Sequence, residues 1–124
     1  MKLAIVGSRK FPCPNFVKDK VYDLCSAFSL DSAEQHLTIV SGGCYGVDTW
    51  AEEVAKEWKW CVDTIIFKPD WEKHGKKAGF MRNIQIVDEA THLWAFWDGE
   101  SKGTKHSIDL ALKKGIPVDI YIRK

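Results

Sequence analysis

The sequence lacks several features that would each announce a class of protein. No apolar run approaches the roughly 18 residues of a membrane span. Four cysteines and four histidines occur without a CxxC pair or an HExxH spacing, so no metal site is expected. Neither GxGxxG nor GxxxxGKS/T is present, which excludes the standard dinucleotide fingerprint and the P-loop. Charge of one sign is also missing: 18 Lys and Arg face 17 Asp and Glu, a formal net charge of +1. That balance gives no bulk reason to expect a polyanion partner, although a local basic patch is compatible with it. The opening MKLAIVGSRK has a short apolar run but no small-residue cleavage site, so it reads as a strand rather than a signal peptide. The expectation is a cytoplasmic protein with no membrane partner and no cofactor. Its thiols (Cys13, Cys25, Cys44 and Cys61) should be reduced and mostly buried.

What is present is a regular alternation. The 124 residues suit one domain, spanning 1–124. Apolar runs at Leu3–Val6, Leu37–Val40, Thr64–Phe67, His92–Trp97 and 117–122 read as strands. Between them, Val17, Val21, Leu24, Cys25 and Phe28 recur at helical spacing, as do Val47, Trp50, Ala51, Val54, Ala55 and Trp58. A third helix is expected from Phe80 to Glu89 with Phe80, Ile84 and Val87 inward. A fourth carries Ile108, Ala111 and Leu112 and stops at Gly115. The segments LDSAEQH and KPDWEKHGKKAG read as loops, and most of the six tryptophans are assigned to the core. Continuous apolar strands separated by amphipathic helices indicate an α/β, Rossmann-like three-layer αβα fold. Its five-stranded, mainly parallel sheet should have the order 3-2-1-4-5, with the last strand at an edge.

In such a sheet, ligands bind beyond the carboxyl ends of the strands. Three strand-to-helix loops there carry glycine and a hydroxyl residue. The first is Gly7-Ser8-Arg9-Lys10-Phe11 and the second is SGGCYGVD, Ser41 to Asp48. The third, after the fourth strand, contains Asp98, Gly99, Glu100, Ser101, Gly103 and Thr104. Bare glycine backbone at a helix N-terminus presents N–H groups and a partial positive charge, a combination suited to phosphate or carboxylate. Gly42, Gly43 and Gly46 fit this device, with Ser41 adding a hydroxyl and Arg9 a bidentate clamp. Packing turns are the bland alternative for the same glycines. Asp48 suits either the first-turn dipole or hydrogen bonds to a ribose. The stretch HGKKAGFMRN adds Lys77, Arg82 and Asn83, and the preceding Trp71 could stack on a base or pin the loop.

Taken together, GSRKF, SGGCYGVDTWAEEVA, DWEKHGKKAGFMRN, AFWDGESKGT and KKGIPV resemble the SLOG superfamily, which includes the DprA/Smf, LOG and YpsA-related proteins. The likeness is greatest to its small YspA-like, YpsA-related branch, and it covers nearly the whole chain in family order. It implies a Rossmann-like fold binding a nucleotide or nucleotide-derived ligand, as a sensor or ligand-processing module often encoded by phages or defence systems. It places ligand contacts at Gly7, Ser8, Arg9, Ser41, Gly42, Gly43, Gly46, Asp48, Arg82, Asn83, Gly103 and Thr104. One departure matters. LOG-type phosphoribohydrolases carry PGGxGTxxE, whose glutamate supports cleavage of the N-glycosidic bond. Here the comparable stretch is DGESKGTKHS, with Ser107 at the glutamate position and no prolyl-glycine start.

Three functions compete at this point. The first is phosphate-bearing nucleotide binding without turnover. The second is a nucleotide N-glycosidic hydrolase, for which Asp48 and Glu100 are the candidate catalytic carboxylates. The third, weaker for a chain near neutrality, is DprA-like binding of single-stranded nucleic acid through lysines, Arg82 and exposed tryptophan. Homo-oligomerisation is plausible at the edge strand.

Overall fold

The computed structural model describes residues 1–30 and 36–124. The elements run β1 (Lys2–Gly7), α1 (Pro14–Leu30), β2 (Leu37–Ser41), α2 (Val47–Glu57), β3 (Val62–Ile66), α3 (Trp71–His74), α4 (Ala78–Glu89), β4 (His92–Trp97), α5 (Lys102–Lys114) and β5 (Val118–Ile122). All four strand pairings are parallel, and the sheet order is β3-β2-β1-β4-β5. This is the expected α/β Rossmann-like layout. The loop expected over LDSAEQH falls largely on residues 31–35, outside the described residues.

Alternation along the strands explains the two cores. Leu3 and Ile5 of β1 point to one face and pack with Val17, Val21 and Cys25 of α1 and Val47 and Ala51 of α2. Ala4 and Val6 point to the other face and join Ile86 and Val87 of α4 and Ile108 and Ala111 of α5. A central strand buried on both faces must be apolar throughout, which is why LAIV and LTIV carry no alternation.

Helix ends follow the local chemistry. Pro14 opens α1, where its missing N–H costs nothing. Ser101 caps α5, and Gly115 ends it in the left-handed conformation, φ 82°. Lys114 then reaches back to α4: its Nζ donates to the carbonyls of Val87, Asp88 and Ala90 at 2.9, 2.8 and 2.9 Å. The Val87 carbonyl also accepts the Ala90 N–H at 3.1 Å, and Lys114 supplies a further donor at this end of α4, where intrahelical donors run out.

Several expectations need correction. Beyond Ala78 at its start, the buried stripe of α4 and the residue after it is Asn83, Ile86, Val87 and Ala90, the i, i+3, i+4, i+7 pattern. Phe80 and Ile84 are exposed, because polar Asn83 holds a position on the inner face that hydrophobicity alone would have denied it. Leu112 is exposed as well, one step round the helix from buried Ala111. β3 begins and ends earlier than Thr64–Phe67, and the presumed loop after it contains α3 and a 3-10 turn at Gly75–Lys77. Only Cys25 among the cysteines is fully buried. Four tryptophans pack against the edges of the cores, whereas Trp60 and Trp71 are exposed. Among the described residues, no helix is long and apolar enough to cross a membrane.

Candidate functional site

A cleft of about 530 Å³ opens beyond the carboxyl ends of the strands, next to the point where the chain switches from one side of β1 to the other. Gly7, Arg9 and Lys10 enter it from the β1–α1 loop. Cys44 enters from the β2–α2 loop and Asp48 from the start of α2. The α3–α4 segment supplies Trp71, Lys76, Gly79, Phe80, Arg82 and Asn83. From the β4–α5 side come Asp98, Glu100, Ser101, Gly103, Thr104 and Ser107.

The SGGCYGVD loop folds around its own carboxylate. Asp48 Oδ2 accepts the N–H groups of Gly42 and Cys44, both at 3.2 Å. The N–H of Gly43 goes to Ser41 Oγ at 3.4 Å, and Ser41 Oγ donates to Glu52 at 2.7 Å. Gly46 caps α2 with φ 97°, a conformation that disfavours any residue with a Cβ. Ser41, Gly42, Gly43 and Gly46 therefore build the wall behind Asp48 and do not line the cleft. Burial pushes the Asp48 carboxyl up to about 6. The Cys44 N–H and the Arg82 charge oppose that rise, and the neighbouring Glu52 adds to it.

Arg82 connects the walls. Its Nη1 donates to the Gly42 carbonyl at 2.7 Å and contacts Cys44 Sγ at 3.2 Å, while Nε donates to Asn83 Oδ1 at 3.1 Å. Asn83 Nδ2 in turn donates to the Gly103 carbonyl at 3.3 Å and lies 3.2 Å from His106 Nδ1. Burial holds the His106 imidazole below its usual range, with Asp109 opposing, which favours the neutral ring that can accept this bond.

A second carboxylate organises the β4–α5 loop in the same way. Asp98 Oδ1 accepts from the N–H groups of Glu100 and Ser101 at 2.9 and 2.8 Å and from Ser8 Oγ at 3.2 Å. The Glu100 and Ser101 N–H groups, with that hydroxyl, keep the Asp98 carboxyl below the ordinary range. Ser8 also accepts the Asp98 N–H at 3.1 Å and lies 3.3 Å from Thr104 Oγ1, so it ties the β1–α1 loop to the β4–α5 loop from a buried position.

Of the residues expected at the site, Gly7, Arg9, Asp48, Trp71, Arg82, Asn83, Glu100, Ser101, Gly103 and Thr104 are brought to one cleft. Ser8, Ser41, Gly42, Gly43, Gly46, Lys77 and Gly99 do not line it; Lys76 faces it where Lys77 was expected. Gly7 owes part of its identity to packing, since a Cβ there would lie 2.5 Å from Val47 Cβ. Phe80, Ile86, Cys44 and Ser107 were not anticipated as lining residues. Ser107 had a signal, being one helical turn from Thr104 on α5. It stands in the cleft at the position where the resemblance to LOG proteins puts a glutamate. Among the described residues, no group of three His, Cys, Asp or Glu side chains is disposed to hold a metal ion.

The fold is a Rossmann-like α/β architecture of the kind found in DNA processing protein A of Helicobacter pylori. A solved structure of that protein, described for its single-stranded DNA binding mode, matches with a TM-score of 0.73 and 23% identity. The match covers all of this chain and 66% of that one, so this chain spans under two thirds of its length, and the likeness is one of fold. The fold is the Rossmann-like one that the resemblance in sequence implies. In sequence, the chain is 35% identical over 125 residues to the gene 61 protein of Mycobacterium phage D29, covering 94% of this chain and 93% of the phage protein. The chain belongs to the family of that phage protein. No protein-family model matches it.

Proposed function

We propose that the cleft binds a nucleotide or nucleotide-derived ligand through its phosphates, as a module of the YspA-like, YpsA-related kind. The observation that carries this reading is the lining: Arg9, Lys10, Lys76 and Arg82 converge on a cavity that also presents Trp71 and Phe80. Its volume lies within the range of small-molecule sites, roughly 300–1,000 Å³. Cations suit the phosphates, and an exposed indole suits the face of a base. The N-terminus of α5, with Gly103 and Thr104 in the lining, adds a partial positive charge. The Asp48 carboxylate already holds the amides of loop two, so the phosphate is assigned to the Arg9, Lys10 and α5 side.

Turnover is the less supported reading, because Ser107 lines the cleft at the position where LOG-type proteins carry their glutamate. Single-stranded nucleic acid is the second reading, favoured by the shared fold with a single-stranded DNA-binding protein. A thermal-shift screen with mono- and dinucleotides, ADP-ribose and short single-stranded DNA separates them. A ligand at about a hundred times its dissociation constant stabilises by roughly 2.7 kcal/mol, a shift of several degrees. Stabilisation by a nucleotide that disappears in Arg9→Ala supports the proposal. Stabilisation by DNA alone, growing with strand length and falling steeply with salt, transfers the cleft to the second reading.

A further inference from the structure

We propose that β5 is a pairing edge for a second copy of this chain, joined antiparallel about Tyr121. This surface is remote in role from the cleft, and the inference stands whatever the cleft binds. Among the described residues, β5 pairs on one side only, with β4. The Pro117 carbonyl and the Arg123 N–H point to β4. By the alternation of a strand, the backbone groups of Val118, Ile120 and Ile122 face the open side. An open edge of this kind templates another strand unless something blocks it.

The residues of β5 are complementary to themselves. Turned about Tyr121, Ile120 meets Ile122 of the second copy and Ile122 meets its Ile120. Both are even positions, so these pairs exchange backbone hydrogen bonds across the join. Ile120 and Ile122 are 43% and 46% exposed, unusual for isoleucine on a strand, and this pairing covers them. On the other face, Asp119 comes opposite Arg123 of the second copy, and the two-fold axis repeats the contact. Among the described residues, neither Asp119 nor Arg123 is in a salt bridge within the chain. In the single chain, Arg123 instead caps the exposed Ile122 carbonyl at 2.8 Å and lies over the Phe16 ring. The opposite edge has no such symmetry: β3 reads VDTII, and its Asp63 is already paired with His36 at 2.6 Å.

Sedimentation velocity on the full chain, from low micromolar to hundreds of micromolar, tests this. The wild type is expected to reach twice its 14.1 kDa mass. Asp119→Arg or Arg123→Asp alone sets like charges opposite each other twice and weakens dimerisation roughly tenfold or more. The double swap restores it. Ile120→Pro removes an outward N–H without touching the β4 ladder, so the fold survives by circular dichroism while the dimer is lost; it keeps the test available if a swapped chain does not fold. A wild type monomeric throughout, a dimer unmoved by these changes, or a double swap as weak as the single ones overturns the proposal.

Discussion

Arg82 lies directly on Gly42. Its Nη1 donates to the Gly42 carbonyl at 2.7 Å, and a Cβ at Gly42 would come within 2.7 Å of the guanidinium carbon. A guanidinium is the far end of a flexible side chain, so Gly42→Ala should be tolerated by the fold while Arg82 swings away. The expected result is a melting temperature within a few degrees of wild type and a nucleotide affinity reduced by roughly tenfold, the scale of one charge-assisted hydrogen bond. A melting curve checks the first and calorimetric titration of the variant the second.

Gly7→Ala should behave in the opposite way. The added methyl meets the branched Val47 at the start of α2, which is held by the core and cannot step aside. Overpacking of this kind costs about 1–3 kcal/mol. Chemical denaturation should show that loss, whereas Gly42→Ala should not.

The Asp48 carboxyl makes stability depend on pH in an unusual direction. Its pKa is raised from 3.8 to about 6, chiefly by burial. Between those values the folded protein keeps a proton that the unfolded chain has released. The contribution of this group to stability is therefore full below about pH 4, falls as pH rises towards 6, and stays low above that. At about 1.36 kcal/mol per pH unit, the difference is on the order of 3 kcal/mol. Asp48→Asn, if its carbonyl keeps the two amide bonds, should be more stable than wild type at pH 8, with the gain shrinking towards pH 4. Melting curves across that range decide it; a gain independent of pH would contradict the assignment to Asp48.

Lys114 should count for more than an exposed lysine usually does. Three carbonyls at the end of α4 accept from its Nζ. Lys114→Met keeps the aliphatic stem and removes the donors, and it should cost about 1–2 kcal/mol. Lys113→Met, next to it, should cost little.

Much of this was legible in the sequence. Unbroken apolar strands fixed the layer order, since only a sheet covered on both faces needs them. The gathering of Arg9, Asp48, Arg82 and Thr104 followed from reading the loops at the strand ends. What escaped was which atoms the loop amides would choose. Composition says that a glycine-rich turn at a helix start suits an anion, but not that Asp48 would be that anion for Gly42 and Cys44. Phe80 was misread for a related reason. Periodicity assigns the apolar residue inward, and only the hydrogen bonds from Asn83 to Gly103 and His106 explain why a polar residue took that place.

On the proposed function, the cleft of Arg9 and Arg82 holds a phosphate-bearing nucleotide. Isothermal titration calorimetry of the intact chain with the nucleotide that most raises its melting temperature tests this most directly, repeated in Arg9→Ala. Saturable binding at one site per chain is expected, weakened roughly tenfold or more in the variant, whose melting temperature without ligand is unchanged. Binding of equal strength in Arg9→Ala, or no heat with any nucleotide, would contradict it.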